Sequence, residues 1–132
     1  MSLHIRDVYL AAPYSQQAYL RNVRQAMEGD GFNITSRWLD FNTGQYAQLS
    51  WAQREEEALI DLDDIKRSDL LLVFTEHASE SLGGMHFETG YAHAAGIPVW
   101  VVGPQVMIFH HLSTISTFAN LGDVYKELKR YA

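Results

Sequence analysis

The sequence predicts an α/β fold: a three-layer, doubly wound, mostly parallel sheet of about five strands with helices on both faces. Three observations carry that expectation. Strand-like apolar runs alternate with amphipathic helical stretches along the chain, the pattern of successive βα units. The run Asp69-Leu70-Leu71-Leu72-Val73-Phe74-Thr75 is apolar without alternation, as a parallel strand covered on both faces must be. The 132 residues, 47% hydrophobic and 20% charged, suit one domain that buries roughly two thirds of its unfolded surface. No repeat, low-complexity tract or linker divides residues 1–132.

The elements follow in order. Asp7-Val8-Tyr9-Leu10-Ala11-Ala12 reads as a buried strand closed by Pro13. Gln16 to Glu28 carries Leu20, Val23 and Met27 at helical spacing, and Gly29-Asp30-Gly31 stops it. Phe32 to Leu39, with Ile34, Thr35 and Trp38, reads as a second strand, and Asp40 to Gln48 as a loop. Ser50 is placed to cap a long helix reaching about Arg67. The third strand is 69–75. Gly83-Gly84 precedes a helix from about Met85 to Ala95, ended by Gly96, and Pro98 to Val102 is a fourth buried strand. Residues 105–112 fit strand and loop alike, leaving a fifth strand open. Asn120 to Tyr131 closes the chain as a helix with Leu121, Val124, Tyr125 and Leu128 on its stripe. Such sheets bind ligands beyond the carboxyl ends of their strands, where the strand order reverses.

Composition excludes several classes of function. The formal net charge is −6, with sixteen acids against ten Lys and Arg. A nucleic-acid polymer is held through many cationic phosphate contacts, so none is expected as a partner; a small anion in a local pocket remains open. Cysteine is absent, which removes disulfides, thiolate metal sites and a cysteine nucleophile. No apolar run approaches a membrane span, and Met1-Ser2-Leu3 leads straight towards a strand without a secretory signal. A cytoplasmic protein with no membrane partner is expected.

Two carboxylates stand out. On a helix, Glu88 neighbours Gly84, Tyr91 and Ala92, the small and aromatic residues of a face packed on a sheet. A carboxylate there needs a partner or a task. It either stabilises the N-terminal part of its own helix or is a catalytic carboxylate at the sheet edge. Asp61 lies three after Ala58 and four before Ile65, bordering the apolar stripe of the long helix. It belongs either to a solvated acidic row with Glu57 and Asp64 or leans towards a ligand. Asp63 can pair with Arg67 at i+4. Tyr9 lies inside the first strand, where its hydroxyl either packs in the core or meets a carboxylate.

Other chemistries lack their patterns. His86 and His93 are seven apart, and His110-His111 would point to opposite sides of a strand, so no metal site is expected. There is no nucleophile-elbow serine, no dinucleotide-binding glycine fingerprint and no Walker A loop.

Taken together, these residues resemble the nucleoside 2-deoxyribosyltransferase superfamily, which includes deoxynucleoside 5′-monophosphate N-glycosidases. The likeness covers about residues 7–112. Val8-Tyr9-Leu10-Ala11-Ala12-Pro13 is similar to the family's first strand and loop. Asp61-Leu62-Asp63-Asp64-Ile65 followed by Ser68-Asp69 is similar to its aspartate-bearing helix. Gly84-Met85-His86-Phe87-Glu88-Thr89-Gly90-Tyr91-Ala92, then Gly96-Ile97-Pro98-Val99, is similar to its catalytic segment. Thr35-Ser36-Arg37-Trp38-Leu39 and Ile108-Phe109-His110-His111 are similar to a small phage- or bacteria-encoded branch.

The resemblance implies a flavodoxin- or Rossmann-like form of the fold and an enzyme that cleaves the N-glycosidic bond of a nucleoside or nucleoside 5′-monophosphate. Glu88 would be the nucleophile forming a glycosyl-enzyme, Tyr9 would orient it, and Asp61 would act as general acid or position sugar, base or water. Transfer to a second base or to water would follow. Substrate contacts are implied for Ala12, Pro13, Ser15, Arg37, Trp38, Ser81, Gly83, Gly84 and Met85. Among them Ser15 and Arg37 are candidates for phosphate. No cofactor or metal is implied, and a homodimer or higher homo-oligomer is. The sequence also departs from the family. Six residues before Glu88 stands Leu82, where the nucleotide hydrolases have a serine; Ser81 is seven before. No aspartate lies between Asp69 and Glu88, where the transferases carry one. Strand 1 ends in Ala-Ala-Pro-Tyr-Ser rather than a glycine-rich loop. These departures keep a non-catalytic nucleotide-sensing module in view, and an NAD-cleaving glycohydrolase, which breaks a chemically similar N-glycosidic bond, is a further alternative.

Overall fold

The structure is a computed structural model that describes residues 4–131. Five strands form one sheet: β1 (Asp7–Ala11), β2 (Asn33–Ile34), β3 (Leu70–Phe74), β4 (Val99–Val102) and β5 (Ser116–Phe118). Their order is β2-β1-β3-β4-β5, and every pairing is parallel. Four helices accompany them: α1 (Gln17–Gly29), α2 (Trp51–Lys66), α3 (Gly84–Ala94) and α4 (Leu121–Leu128). Right-handed crossovers place helices by the direction of travel across the sheet. The chain steps outward from β1 to β2, then back past β1 to β3. That reversal sends α1 to one face and α2 and α3 to the other, where α2 and α3 pack together. The switch in direction lies between β1 and β3, the place where such sheets open a ligand crevice.

The central strands are buried because both faces are covered: all five residues of β3 and all four of β4 are buried. Buried Leu20, Val23 and Met27 of α1, and Val124 and Leu128 of α4, complete the core. Ser50 does cap α2. Its Oγ accepts from the Gln53 N–H at 3.1 Å, and the Gln53 side chain accepts from the Ser50 N–H at 2.8 Å, a reciprocal capping box.

The structure corrects several sequence boundaries. The second strand does not run from Phe32 to Leu39; β2 is two residues long. Beyond it the Ser36 Oγ accepts from the Leu10 N–H at 2.6 Å, and Arg37–Asp40 form a 3-10 turn. A side chain has taken over the pairing that a longer strand would have supplied with its backbone. The segment read as a loop before α2 also holds a 3-10 helix, Thr43–Gln48. Residues 105–112 are no strand: Ile108–His111 is a 3-10 turn, so His110 and His111 do not straddle a sheet. Buried His110 accepts the Val106 N–H on Nδ1 at 3.1 Å, and burial pushes its pKa down. The fifth strand exists as β5, on the edge opposite β2.

Candidate active site

A pocket of about 360 Å³ opens beyond the carboxyl end of β1, between α2 and α3. Each wall has a local cause. β1 ends at Ala11, two residues before Pro13, whose missing N–H suits the exit from a strand, and Tyr14–Gln16 turn into α1 as a 3-10 helix. Trp38 is swung in by the turn after β2, with its indole N–H donated to the Leu10 carbonyl at 2.8 Å. Gly83 caps α3 with φ +107°, a conformation that L side chains rarely adopt. The turn it makes lets α3 start beside the pocket.

Tyr9, Asp61 and Glu88 arrive from three different elements. Tyr9 is fully buried in β1 and donates its hydroxyl to Glu88 Oε2 at 2.5 Å. Met85 and Ala92, three before and four after Glu88, are buried beneath α3. Glu88 therefore projects along the face that meets the sheet, at the point where the pocket opens. Asp61 comes from α2 and lines the same pocket.

Burial dominates the electrostatics. It pushes the Glu88 carboxyl up to about 8; the Tyr9 hydrogen bond opposes that rise, and the Asp61 charge adds to it. Burial also pushes Asp61 up to about 7, helped by the charges of Asp64 and Glu57 and opposed by Arg37. The Tyr9 hydroxyl is held well above its usual range, first by burial and then by the charge of Glu88, so it stays a donor. Tyr14, edge-on to Trp38 at 5.6 Å, is raised to about 12, by burial first and then by Asp61 and Glu88. Two acids that titrate near neutrality in one pocket can divide the roles of proton donor and anion between them.

Of the residues expected to bind substrate, Ala12, Pro13, Ser15, Trp38, Ser81, Gly84 and Met85 line this pocket. Ser81 Oγ accepts the Gly83 N–H at 3.0 Å, which leaves its hydroxyl proton for a ligand. Gly83 shapes the turn but does not line the pocket. Arg37 lies outside it too: its guanidinium pairs with Asp64 at 2.8 Å and with Asp63 at 3.2 Å. Asp63 also pairs with Arg67 at 3.2 Å, as the i+4 spacing suggests. Sequence reasoning missed Tyr14, Ala58, Leu62, Glu80, Leu82 and Phe87 as lining residues. Tyr14 and Phe87 adjoin residues that were singled out. Glu80 gives no signal, because its position depends on how the 3-10 turn Ala78–Glu80 folds back towards Ser15. The Ser15 hydroxyl, and after it the His77 charge, hold the Glu80 carboxyl below its usual range.

No group of three or more His, Asp or Glu side chains that could hold a metal ion occurs among the described residues. No helix among them is long and apolar enough to cross a membrane. The fold is similar to that of a 2-deoxyribosyltransferase from the psychrotolerant bacterium Bacillus psychrosaccharolyticus, with a TM-score of 0.67, 20% identity and 89% of each chain covered. It is also similar to Clostridium botulinum CMP N-glycosidase, BcmB, with a TM-score of 0.62, 16% identity, and 94% of this chain and 99% of that one covered. No curated protein matches the sequence. The family model for nucleoside 2-deoxyribosyltransferase matches residues 8–114, from β1 to just before β5. With that match spanning the strands and helices that build the pocket, the chain belongs to the nucleoside 2-deoxyribosyltransferase family.

Proposed function

We propose that the protein cleaves the N-glycosidic bond of a nucleoside through a glycosyl-enzyme on Glu88 and passes the sugar to a second base or to water. The observation that carries this reading is the Tyr9–Glu88 hydrogen bond at 2.5 Å in the pocket that Asp61 also lines. A nucleobase leaves poorly until it is protonated, and the sugar gains cationic character as it leaves. Ionised Glu88 attacks C1′, the C1′–N bond breaks, and Asp61 gives its proton to the departing base. In the second half-reaction a base nitrogen or water attacks C1′, Asp61 takes the proton back, and the Glu88 ester is released. The raised pKa of Asp61 suits a group that must hold a proton near neutrality.

Uncharged nucleosides are favoured over 5′-monophosphates. Among the described residues, no Lys or Arg lines the pocket, Glu80 adds a carboxylate to its wall, and Arg37 is engaged elsewhere. A second reading, cleavage of a monophosphate, draws on the Ser81 hydroxyl and on the likeness to a CMP N-glycosidase. The working unit is proposed to be a homodimer or larger homo-oligomer, an arrangement suited to the exposed Leu82 and Phe87 on the pocket wall.

The test is chromatographic detection of free base. The purified protein is incubated with 2′-deoxyadenosine, 2′-deoxycytidine, their 5′-monophosphates, CMP and NAD, each with and without free adenine or cytosine. Base release from nucleosides is the expected result, with a new nucleoside appearing only beside a second base if transfer dominates. Glu88→Gln should lower release at least about a thousandfold, as expected when a covalent nucleophile is lost. A Glu88→Gln protein that keeps full activity would sink the mechanism; release from monophosphates alone would select the second reading.

A further inference from the structure

Three residues beyond Asp61 on α2 lies Asp64, a carboxylate that is 0% exposed. It does not line the pocket, yet three donors converge on it. Its Oδ2 accepts the Arg37 backbone N–H at 2.9 Å, and its Oδ1 accepts Arg37 Nε at 2.8 Å and Arg67 Nη2 at 2.5 Å. The Asp64 carbonyl accepts the Ser68 hydroxyl at 2.8 Å, and Ser68 Oγ lies 2.6 Å from Thr35 Oγ1. Arg37 opens the 3-10 turn whose next residue is the pocket-wall Trp38. A single buried anion therefore ties the helix that carries Asp61 to the turn that carries Trp38.

A buried ion pair is weak evidence for stability, because apolar packing often does as well at the same place. Its better attested use is to fix one arrangement among several. We propose that Asp64 is a positioning residue for the reaction: by holding Arg37 across the gap between α2 and the 3-10 turn, it fixes Asp61 and Trp38 relative to each other on the pocket wall. This rests on the reading of Asp61 as the general acid.

The charges around Asp61 give the device a second effect. Asp64 and Glu57 face it from α2, Arg37 from the 3-10 turn, Tyr9 from β1, Tyr14 from the turn before α1, and Glu88 from α3. Asp64 and Glu57 push its proton affinity up and Arg37 pushes it down. Pairing Arg37 with Asp64 also keeps the guanidinium out of the pocket, away from the acid it would otherwise neutralise.

Two variants separate positioning from mere support. Asp64→Asn keeps the shape, removes the anion and leaves Asp63 as the remaining carboxylate paired with Arg37. Arg37→Gln keeps the anion, Arg67 and the backbone N–H bond to Asp64 Oδ2 but removes the guanidinium bonds to Asp64 and Asp63, which weakens the tie to the turn. Base release from 2′-deoxyadenosine, or from its 5′-monophosphate if that is cleaved faster, is followed from pH 5 to 10 in the full chain. Folding is checked by circular dichroism and a cooperative melt. KM should rise about 3- to 10-fold in both variants, because both loosen Trp38. The apparent pKa that Asp61 contributes should move down by roughly half a unit to one unit in Asp64→Asn and up in Arg37→Gln. Opposite shifts are not what a purely structural defect produces. If Asp64→Asn does not fold, Arg37→Gln alone decides. An unmoved pKa with KM within twofold of wild type, while wild type cleaves and Asp61→Asn does not, overturns this proposal and leaves the reaction standing. A wild type that cleaves nothing overturns both.

Discussion

Replacing Tyr9 by Phe removes one oxygen and leaves the ring that fills the core between β1 and α3. Tyr9 is 0% exposed and its hydroxyl meets Glu88 at 2.5 Å. A hydrogen bond to a charged acceptor contributes about 1.5–3 kcal/mol. At 1.36 kcal/mol per pKa unit, losing it raises Glu88 by roughly one to two units above its value of about 8. The proposed mechanism needs the anion on Glu88 and the proton on Asp61. With apparent values of about 7 and 8 belonging to the pair, the wild-type rate should be bell-shaped with its maximum midway between them. In Tyr9→Phe the upper apparent value should climb to roughly 9–10, and the plateau should fall about 10- to 100-fold, because less Glu88 is ionised wherever Asp61 is protonated. The assay is single-turnover base release followed against pH, alongside a thermal melt that shows the fold intact. A rate within threefold of wild type refutes the reasoning. So does a large loss with the upper limb unmoved, since the hydroxyl would then not act by holding charge on Glu88.

Two further outcomes follow from the same structure. Glu88 binds its proton more tightly folded than unfolded, about 8 against 4.5. Its contribution to stability is therefore whole below pH 4.5 and is lost as pH rises through 8. The 3.5-unit difference sets an upper bound of about 5 kcal/mol, so Glu88→Gln should gain roughly 1–3 kcal/mol over wild type at pH 9 and little at pH 5, read by urea melts at both. Equal differences at the two pH values would rule this linkage out. Gly103 has φ +116°, and a Cβ there would lie 2.7 Å from Thr75 Oγ1. Gly103→Ala should cost about 2–4 kcal/mol, and a melt unchanged within 0.5 kcal/mol would contradict the geometry.

How much of this was legible depends on how far apart in the chain the partners lie. β3 announced itself because burial on both faces leaves a continuous apolar run, and α2 because its cap is three residues long. Asp61 and Glu88 could be singled out because a carboxylate beside an apolar stripe breaks a local rule, and such breaks concentrate at functional or strained sites. Arg37 could not be read: its partners Asp63 and Asp64 are 26 and 27 residues away, and nothing local distinguishes a guanidinium that meets a ligand from one that meets a helix. The length of β2 was hidden for the same reason. The Ser36 side chain pairs with Leu10, 26 residues earlier, and only that long-range bond tells the chain to stop being a strand.

The division of labour in the pocket follows from that arrangement. Burial in this crevice raises both carboxyls, which suits Asp61 to the proposed acid role and opposes the proposed nucleophile role of Glu88. Helix geometry cannot separate them, since both stand on elements of the same face. What differs is the floor. β1 offers Glu88 a hydroxyl whose own ionisation is suppressed, while among the charges that raise Asp61 are two from its own helix, Glu57 and Asp64. One donor from the sheet favours the anion on Glu88, and two acids from α2 favour the proton on Asp61. In the proposed chemistry the sheet's contribution is then a single oxygen atom. Removing that atom should widen the gap between the two acids, because Glu88 climbs while Asp61 keeps the causes that set it, whatever the leaving base.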